Sequence, residues 1–447
     1  MADTTGTSWS DIPLDLAGRI LHRLPAHVDR VRFGAVCPQW RATTRHGPLP
    51  PPLPLLLLSD ARVYSLPGSE PFHFSGFTGT GYTDACGDWL VFTGEEGCFL
   101  RDPFSNATVT LPPLSRVRAR LVGRGGGAVW TQAPPAASTA MKRRPKRIIT
   151  FTHCGTDEGG ILKDEDVLSP GTSLILKPPM HVGDESVNVA TLAWMKMAER
   201  LQLEEEPKKC KLWLCSPNFI VATIKFTGGK RIAVCQAGPT SWWSVCFENH
   251  CPDFIDMAFH QGKLYALDVH DSLFVIDVSM ENSSSDPWIS QMRKVIIGPC
   301  LHMHFFLGCQ KRAYLVESRG VLLVVLRKLR HPSIDLSLFE ADAAERNEFE
   351  VFEADLSQSQ WFKVTAIGNN EVLFLRRRCS RSVGVSHNAL PGGCIFFLDN
   401  DDKDCSWYGA SSSCCVYSMT NGKVSTPLPT VSWKPGIVFG TWLFPQS

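Results

Sequence analysis

The chain has 447 residues, 44% hydrophobic and 20% charged, with 45 Lys and Arg against 44 Asp and Glu. That is the composition of a globular protein with room for about two or three ordinary domains, or for one small and one large domain. A net charge of +1 provides no long-range field to gather nucleic acid or an acidic membrane, so neither is expected as a partner.

The opening residues Met1 to Gly6 carry neither a basic region nor an apolar run, so they do not read as a secretory signal. The longest apolar runs, Leu53 to Leu58 and Val321 to Leu326, fall far short of the roughly 20 residues that a membrane-spanning helix needs. A soluble protein of the nucleus, the cytoplasm or both is expected. The 16 cysteines are scattered through a long chain, which fits reduced, buried thiols better than a disulfide framework. Residues 1–9 are expected to be disordered.

From Pro13 to Leu24 the apolar residues Leu14, Leu16, Ala17, Ile20, Leu21 and Leu24 recur at helical spacing. Asp11 is placed to cap that helix, Pro13 suits its first turn, and Pro25 stops it. A second short helix fits His27 to Ala35 and a third fits Pro38 to Arg45 around Trp40. The run from His46 to Pro52 breaks helix and reads as a semi-rigid spacer, the proline stretch being residues 47–52.

Beyond residue 53, short apolar runs alternate with turn residues. They include Trp89 to Phe92, Ile232 to Cys235, Lys263 to Leu267, Leu273 to Ile276, Ala313 to Val316, Val321 to Leu326, Val372 to Leu375, Cys394 to Phe397 and Val416 to Met419. Many short strands at regular spacing imply a sandwich, barrel or propeller, and so long a stretch favours radial repetition. A weak repeat agrees. A glycine turn, a strand, a second strand ending in Asp and a Trp occur as Gly262–Leu267, Leu273–Asp277 and Trp288. They occur again as Gly320–Leu326, Phe349–Asp355 and Trp361. At about 40–50 residues per four-stranded blade, six or seven blades fit. Residues 134–147 and 185–206 read as excursions from the repeat, the first a loop and the second an amphipathic helix.

Residues 10–46 carry two ordered clusters: Ile12-Pro13-Leu14 leading to Ile20-Leu21-His22-Arg23-Leu24-Pro25, then Val36-Cys37-Pro38-Gln39-Trp40-Arg41. This pattern closely resembles the F-box. About 40 residues of short helices cannot bury all these Leu, Ile, Val and Trp side chains among themselves, so part of the apolar surface must meet something else. The bland alternative is a helical cap packed on the β domain. By the resemblance, Pro13, Leu14, Ile20, Leu21, Leu24, Pro25, Val36 and Trp40 form the face that docks on a Skp-type adaptor, together with the trihelical core. Gly18 and Gly34 are less typical of the pattern and cost some helix stability.

Residues 53–447 resemble the KIB-type β-propeller of plant F-box proteins. The resemblance rests on Asp102-Pro103-Phe104-Ser105 with Leu111-Pro112-Pro113-Leu114, Gly262 to Asp268, Tyr314 to Ser318, Phe349 to Glu353 with Trp361, and Gly393 to Phe397. The fold expected is therefore mainly β, a small trihelical F-box followed by a large propeller. The function it implies is that of a non-catalytic substrate receptor in a Skp–cullin–F-box ubiquitin ligase. The F-box would hold the adaptor, and through it the cullin, while the propeller would hold an unknown target protein. A module that binds or inhibits a signalling protein without degradation is the alternative.

Signals for chemistry are sparse. There is no P-loop, no nucleophile elbow and no His-Glu-x-x-His. Gly123 to Ala128 mimics a dinucleotide loop, but Pro134 and Pro135 follow where a helix is required. The acidic run from Asp399 lacks the glycine and distal Glu of a calcium loop. Alternation on a strand would bring Cys300, His302 and His304 to one face, with Cys309 able to complete a zinc-like set. Ordinary packing in a cysteine-rich β domain is the weightier reading, and no cofactor is expected. Lys142, Arg143, Arg144, Lys146 and Arg147 form a basic run that resembles a nuclear localisation signal or a plain solvated loop.

Overall fold

In the repeat, two-residue turns set the strand pairing. Gln261-Gly262 and Arg319-Gly320 both have positive φ at both positions (49° and 74°, 54° and 80°). That geometry matches the twist of the flanking strands and favours Gly at the second position. Each turn joins the first and second strands of a blade. The computed structural model describes residues 9, 12–45, 49, 51–66, 68, 70–74, 81–94, 97–113, 117–122, 128–129, 209–215, 219–226, 229–236, 241–246, 252–280, 286–298, 309–330, 347–385, 390–398, 414–425 and 440–445.

Three helices come first: α1 (Leu14–His22), α2 (His27–Val36) and α3 (Pro38–Thr43). Pro13, at φ −53° and ψ 140°, caps α1 instead of lying in its first turn, two positions after the cap the sequence suggests, Asp11, which lies outside the described residues.

Six sheets follow, and they form a six-bladed β-propeller. Blade 1 joins β1 (Leu55–Leu58) and β2 (Val63–Ser65) to the C-terminal strand β26 (Gly440–Leu443). Blade 2 holds β3 (Asp84–Cys86), β4 (Trp89–Gly94), β5 (Gly97–Arg101) and β6 (Thr108–Thr110). Blade 3 has β9 (Lys209–Cys215), β10 (Ile220–Phe226), β11 (Gly229–Cys235) and β12 (Trp242–Cys246). Its edge is extended by the earlier hairpin of β7 (Val117–Val122) and β8 (Ala128–Val129), with β7 parallel to β12. Blade 4 holds β13 (Phe254–His260), β14 (Lys263–Asp268), β15 (Leu273–Met280) and β16 (Pro287–Ile296). Blade 5 holds β17 (Cys309–Ser318), β18 (Val321–Arg330), β19 (Asn347–Asp355) and β20 (Gln360–Val364). Blade 6 holds β21 (Glu371–Leu375), β22 (Arg381–Gly384), β23 (Cys394–Leu398), β24 (Cys414–Ser418) and β25 (Val424–Ser425). Eight of the nine apolar runs singled out in the sequence lie wholly on these strands, the ninth passing the end of β24 by one residue, Met419, and the two copies of the repeat are the last three strands of blades 4 and 5.

The residues around the excursions at 134–147 and 185–206, the basic run from Lys142 and the acidic run from Asp399 lie outside the described residues. Among those described, no helix is long and apolar enough to cross a membrane.

Successive side chains of a strand point to opposite faces, so each blade feeds two cores. On β14, Leu264 and Ala266 pack against blade 3, while Tyr265 and Leu267 pack against blade 5. On β1, Leu56 and Leu58 meet blade 6, while Leu55 and Leu57 meet blade 2. Six apolar clusters thus fill the six gaps between blades. Indole N–H groups pin three of these gaps. Trp242 donates to Pro112 O at 2.8 Å, Trp361 to Asp271 O at 3.0 Å and Trp442 to Leu375 O at 3.1 Å. Arg327, fully buried, crosses from blade 5 to blade 6. It donates to Asn347 Oδ1 at 2.6 Å and Leu398 O at 3.0 Å and lies over the Phe397 ring.

The ring closes where Leu55–Leu58 pairs with Gly440–Leu443, four residues against four. A Cβ at Gly440 would come 3.2 Å from Leu56 Cδ1 and 3.3 Å from Leu57 O, so a larger residue would push the seam apart. Trp442 is fully buried here, with Phe374 and Phe396 beside it. Trp442→Ala is expected to cost about 3–5 kcal/mol, the range for emptying a buried aromatic site. Urea denaturation followed by far-UV circular dichroism measures it; a loss under about 1 kcal/mol would mean the seam does not depend on this ring.

Near the axis, the buried Asp256 carboxylate accepts backbone N–H groups from Met257 at 3.0 Å, Leu315 at 2.9 Å and Arg378 at 3.1 Å. Burial raises its pKa to about 6, outweighing these donors and the nearby Arg377 charge. A folded-state value above the unfolded one contributes stability below the unfolded value, and that contribution is lost as pH rises through about 6. The wild type should therefore gain melting temperature relative to Asp256→Asn between pH 7 and pH 5. Parallel melting curves across that window would remove Asp256 as the titrating group.

Candidate functional site: an apolar docking face

The helical head has a small core of Ala17, Leu21 and Phe33, with Ile12, Leu24, Trp40 and Leu49 packed around it. Phe33 and Trp40 stack at 4.4 Å. The connections between helices are tied by side chains. Arg30 Nε donates to Leu24 O at 2.8 Å, Gln39 Nε2 to Ile12 O at 2.9 Å and Arg41 Nε to Gly34 O at 3.1 Å. Cys37 Sγ caps α3 by accepting the Trp40 N–H. A Cβ at Gly18 or Gly34 would find only ordinary contact, 3.8 Å from Thr43 Cγ2 and 3.6 Å from Thr44 Cγ2. Neither glycine is there for lack of space.

Outside this core, large apolar side chains face solvent. Leu14 is 49% exposed, Leu16 44%, Ile20 37%, Val31 58% and Val36 56%. Leu16 and Ile20 lie four residues apart on one side of α1, about a quarter-turn round from the buried Ala17 and Leu21. Scattered exposed apolar residues are unremarkable, but these two short helices carry five of the ten large apolar side chains exposed among the described residues, which leaves much of the head's apolar surface uncovered. Beside it, a groove of about 390 Å³ runs between the helices, lined by Leu21, Val31 and Leu49 and edged by His27, Arg30 and Arg41. Burial, then the Arg30 charge, holds the His27 imidazole below its usual pKa.

The eight residues picked from the sequence divide in two. Pro13, Leu14, Ile20 and Val36 are exposed. Leu21, Leu24 and Trp40 turn inward to the head's core, and Pro25 is half-buried, its carbonyl accepting the Leu53 N–H at 2.9 Å. Leu16 and Val31, also exposed, are not among the eight. The i, i+4 partnership of Leu16 with Ile20 was the signal for the first; Val31 had only its place in the second helix.

The head is joined to the propeller. Ala26 bridges to Leu53, and the His27 ring meets Phe104 of blade 2 edge-on at 5.7 Å, with Phe74 and Phe72 continuing the aromatic row.

Of the metal candidates, Cys300, His302 and His304 lie outside the described residues; Cys309 opens β17, and its side chain is not described. Among the described residues no cluster of three or more His, Cys, Asp or Glu side chains is arranged to hold a metal ion.

With this geometry in place, residues 55–418 match the family described as KIB1-4 beta-propeller. The chain belongs to that family. Its KIB1-4 propeller is accompanied by similarity to F-box proteins of Arabidopsis thaliana. One, named a putative F-box protein, is 25% identical over 409 residues, 89% of each chain. An F-box protein is 24% identical over 200 residues, 42% of this chain and 54% of that protein. A further putative F-box protein is 24% identical over 192 residues, 42% and 47% of the two chains. The last two alignments thus span only about half of those relatives.

The split between inner and outer residues can be measured. Leu21→Ala should destabilise the head by about 2–5 kcal/mol, as for other buried leucines, whereas Ile20→Ala at an exposed position should cost about 0.5 kcal/mol or less. Hydrogen exchange of the α1 amides in the full-length protein distinguishes them. Equal acceleration by both substitutions would contradict the assignment of faces.

Proposed function

We propose that this KIB1-4 family protein is the substrate-receptor subunit of a Skp–cullin–F-box ubiquitin ligase. The observation that carries the reading is the uncovered apolar surface of Leu14, Leu16, Ile20, Val31 and Val36 on a head that already has its own packed core. Such a face loses free energy in water for as long as it is bare, at about 25 cal/mol per Å² of apolar surface, and gains it back against a partner. The sequence pattern of residues 10–46 and the names of the relatives make a Skp-type adaptor the partner of choice. The adaptor would link the head to a cullin, and the propeller would supply the second surface, for a target protein.

In this reading the chain does no bond chemistry. It converts an encounter between target and ubiquitin-charged enzyme into an event within one assembly, which raises effective concentration. The rigid six-bladed scaffold suits that task because it can vary its connecting loops without disturbing the ring.

The test is co-purification of the full-length chain with a Skp-type adaptor. Leu14→Asp with Ile20→Asp places two charges in the proposed interface and should weaken binding at least about 100-fold, since burying an unpaired carboxylate costs several kcal/mol. Both positions are exposed, so the circular dichroism spectrum should not change. Equal binding by wild type and double variant would sink the adaptor reading.

A further inference from the structure

The innermost strands β3, β9, β13, β17 and β22 follow one another around the axis. In blade 1 the inner place falls to β26, because β2 is bridged outward to Phe72. Blades 2, 4 and 5 each begin on their inner strand. Blade 6 begins on its second strand, β21, turns inward to β22, and only then adds β23, parallel to β21. That reversal sends the β21–β22 connection, Arg376-Arg377-Arg378-Cys379, toward the axis.

Its contacts reach round the ring. Arg376 Nη1 donates to Thr441 Oγ1 of blade 1 at 3.0 Å, and its Nη2 lies 3.7 Å from Asp84 Oδ1 of blade 2. Arg378 pairs with the same Asp84 and donates to Leu212 O of blade 3 at 3.3 Å. The Arg378 N–H donates to Asp256 of blade 4 at 3.1 Å, and Gly87 of blade 2 donates to the Arg378 carbonyl at 2.9 Å. The other oxygen of Asp256 accepts the Leu315 N–H of blade 5. Within the turn, the Cys379 N–H closes back on Arg376 O at 3.1 Å, and Cys379 Sγ sits 3.5 Å from Thr441 Oγ1. One turn from blade 6 therefore holds blades 1, 2, 3 and 4 directly and blade 5 through Asp256. Arg376 and Cys379 are buried. Guanidinium groups leave water only where other polar groups replace it, and here Asp84, Thr441 and the Leu212 carbonyl face the terminal nitrogens of Arg376 and Arg378.

We propose that the Arg376–Cys379 turn is a plug, closing the propeller's axial channel and latching the ring across the seam between blades 6 and 1. The axis is then not a ligand channel, and the surfaces open to a partner are those of the blades and their outer loops. This stands on the geometry of the turn alone and is independent of the adaptor reading.

Hydrogen exchange of the full-length protein tests it in two ways. In the wild type, the peptide covering residues 376–380 should be protected like the inner strands, although no strand includes it. Exchange there at the rate of an open loop would overturn the proposal without any variant. In Arg376→Ala with Arg378→Ala, the amides of β3 and β26 should exchange about tenfold faster or more, while those of β18 and β19, which the turn does not touch, keep their rates. Arg293→Ala, which removes the exposed pair with Asp277 within blade 4, is the control and should leave β26 unchanged. Acceleration confined to residues 376–380 in the double variant would show a local loop and defeat the latch.

Discussion

A small sheet of short strands with apolar residues on both faces cannot cover either face by itself. Each blade of this protein is in that position. On β1, β14 and β18, neighbouring residues point into different cores, and every residue of β1 is buried. Such a sheet needs a neighbour on both sides, and a row of them has two bare ends until it becomes a ring. Closure is therefore what makes the other five interfaces possible, and it falls to the four residue pairs joining Leu55–Leu58 to Gly440–Leu443. The strands that meet there are separated by nearly the whole chain, so the loop-closure entropy must be met before the contact gives anything back.

That dependence gives meaning to the polar groups near the axis. Apolar clusters between blades are local: each holds two neighbours and is indifferent to the rest. The Asp84, Asp256, Arg376 and Arg378 set differs in reach, since hydrogen bonds from one turn end on several blades at once. Bonds of this kind add little net free energy each, about 1 kcal/mol or somewhat more when charged, but they fix geometry and are costly to leave half made. They suit a ring whose blades must keep a common axis. The indole bonds from Trp242, Trp361 and Trp442 do the same at shorter range, each crossing a single gap.

How much of this was legible follows from what kind of information each feature uses. The β strands were legible because alternation and turn glycines are local. Gly262 and Gly320 mark hairpins by their own conformational freedom, and the Trp288 and Trp361 repeat recurs at a readable distance. The head was legible because its clusters of Ile, Leu, Val and Trp occur in a fixed order. The side of α1 that faces out was not: Ile20 and Leu21 are adjacent and chemically alike, and only tertiary packing separates them. The parallel pairing of β7 with β12 could not be read either, because it joins Val117 to Trp242 across a long intervening stretch. The Arg376-Arg377-Arg378 triplet is the plainest case. Nothing local in three successive cations marks them for the interior, and what buries Arg376 and half-buries Arg377 and Arg378 is the reversed strand order of blade 6. The blade number, open between six and seven from average blade length, is six because blade 3 takes up an extra hairpin and blade 6 an extra strand.

The proline stretch between head and propeller reads as a spacer, yet the residue that ends it belongs to both sides. The Leu53 N–H bonds the Pro25 carbonyl of the head, and its side chain is fully buried among Leu56, Phe374 and Trp442 between blades 1 and 6. Leu49, within the same stretch, packs on the head's core. A free tether would make no such contacts, because its conformational entropy would oppose each of them. The His27–Phe104 contact adds a second point of attachment on blade 2, and two points fix an angle where one fixes only a distance. A partner seated on Leu16 and Ile20 would then stand at a set orientation to the propeller. For a protein read as a receptor, that is the property that matters, since proximity is useful only if the two bound surfaces keep facing one another.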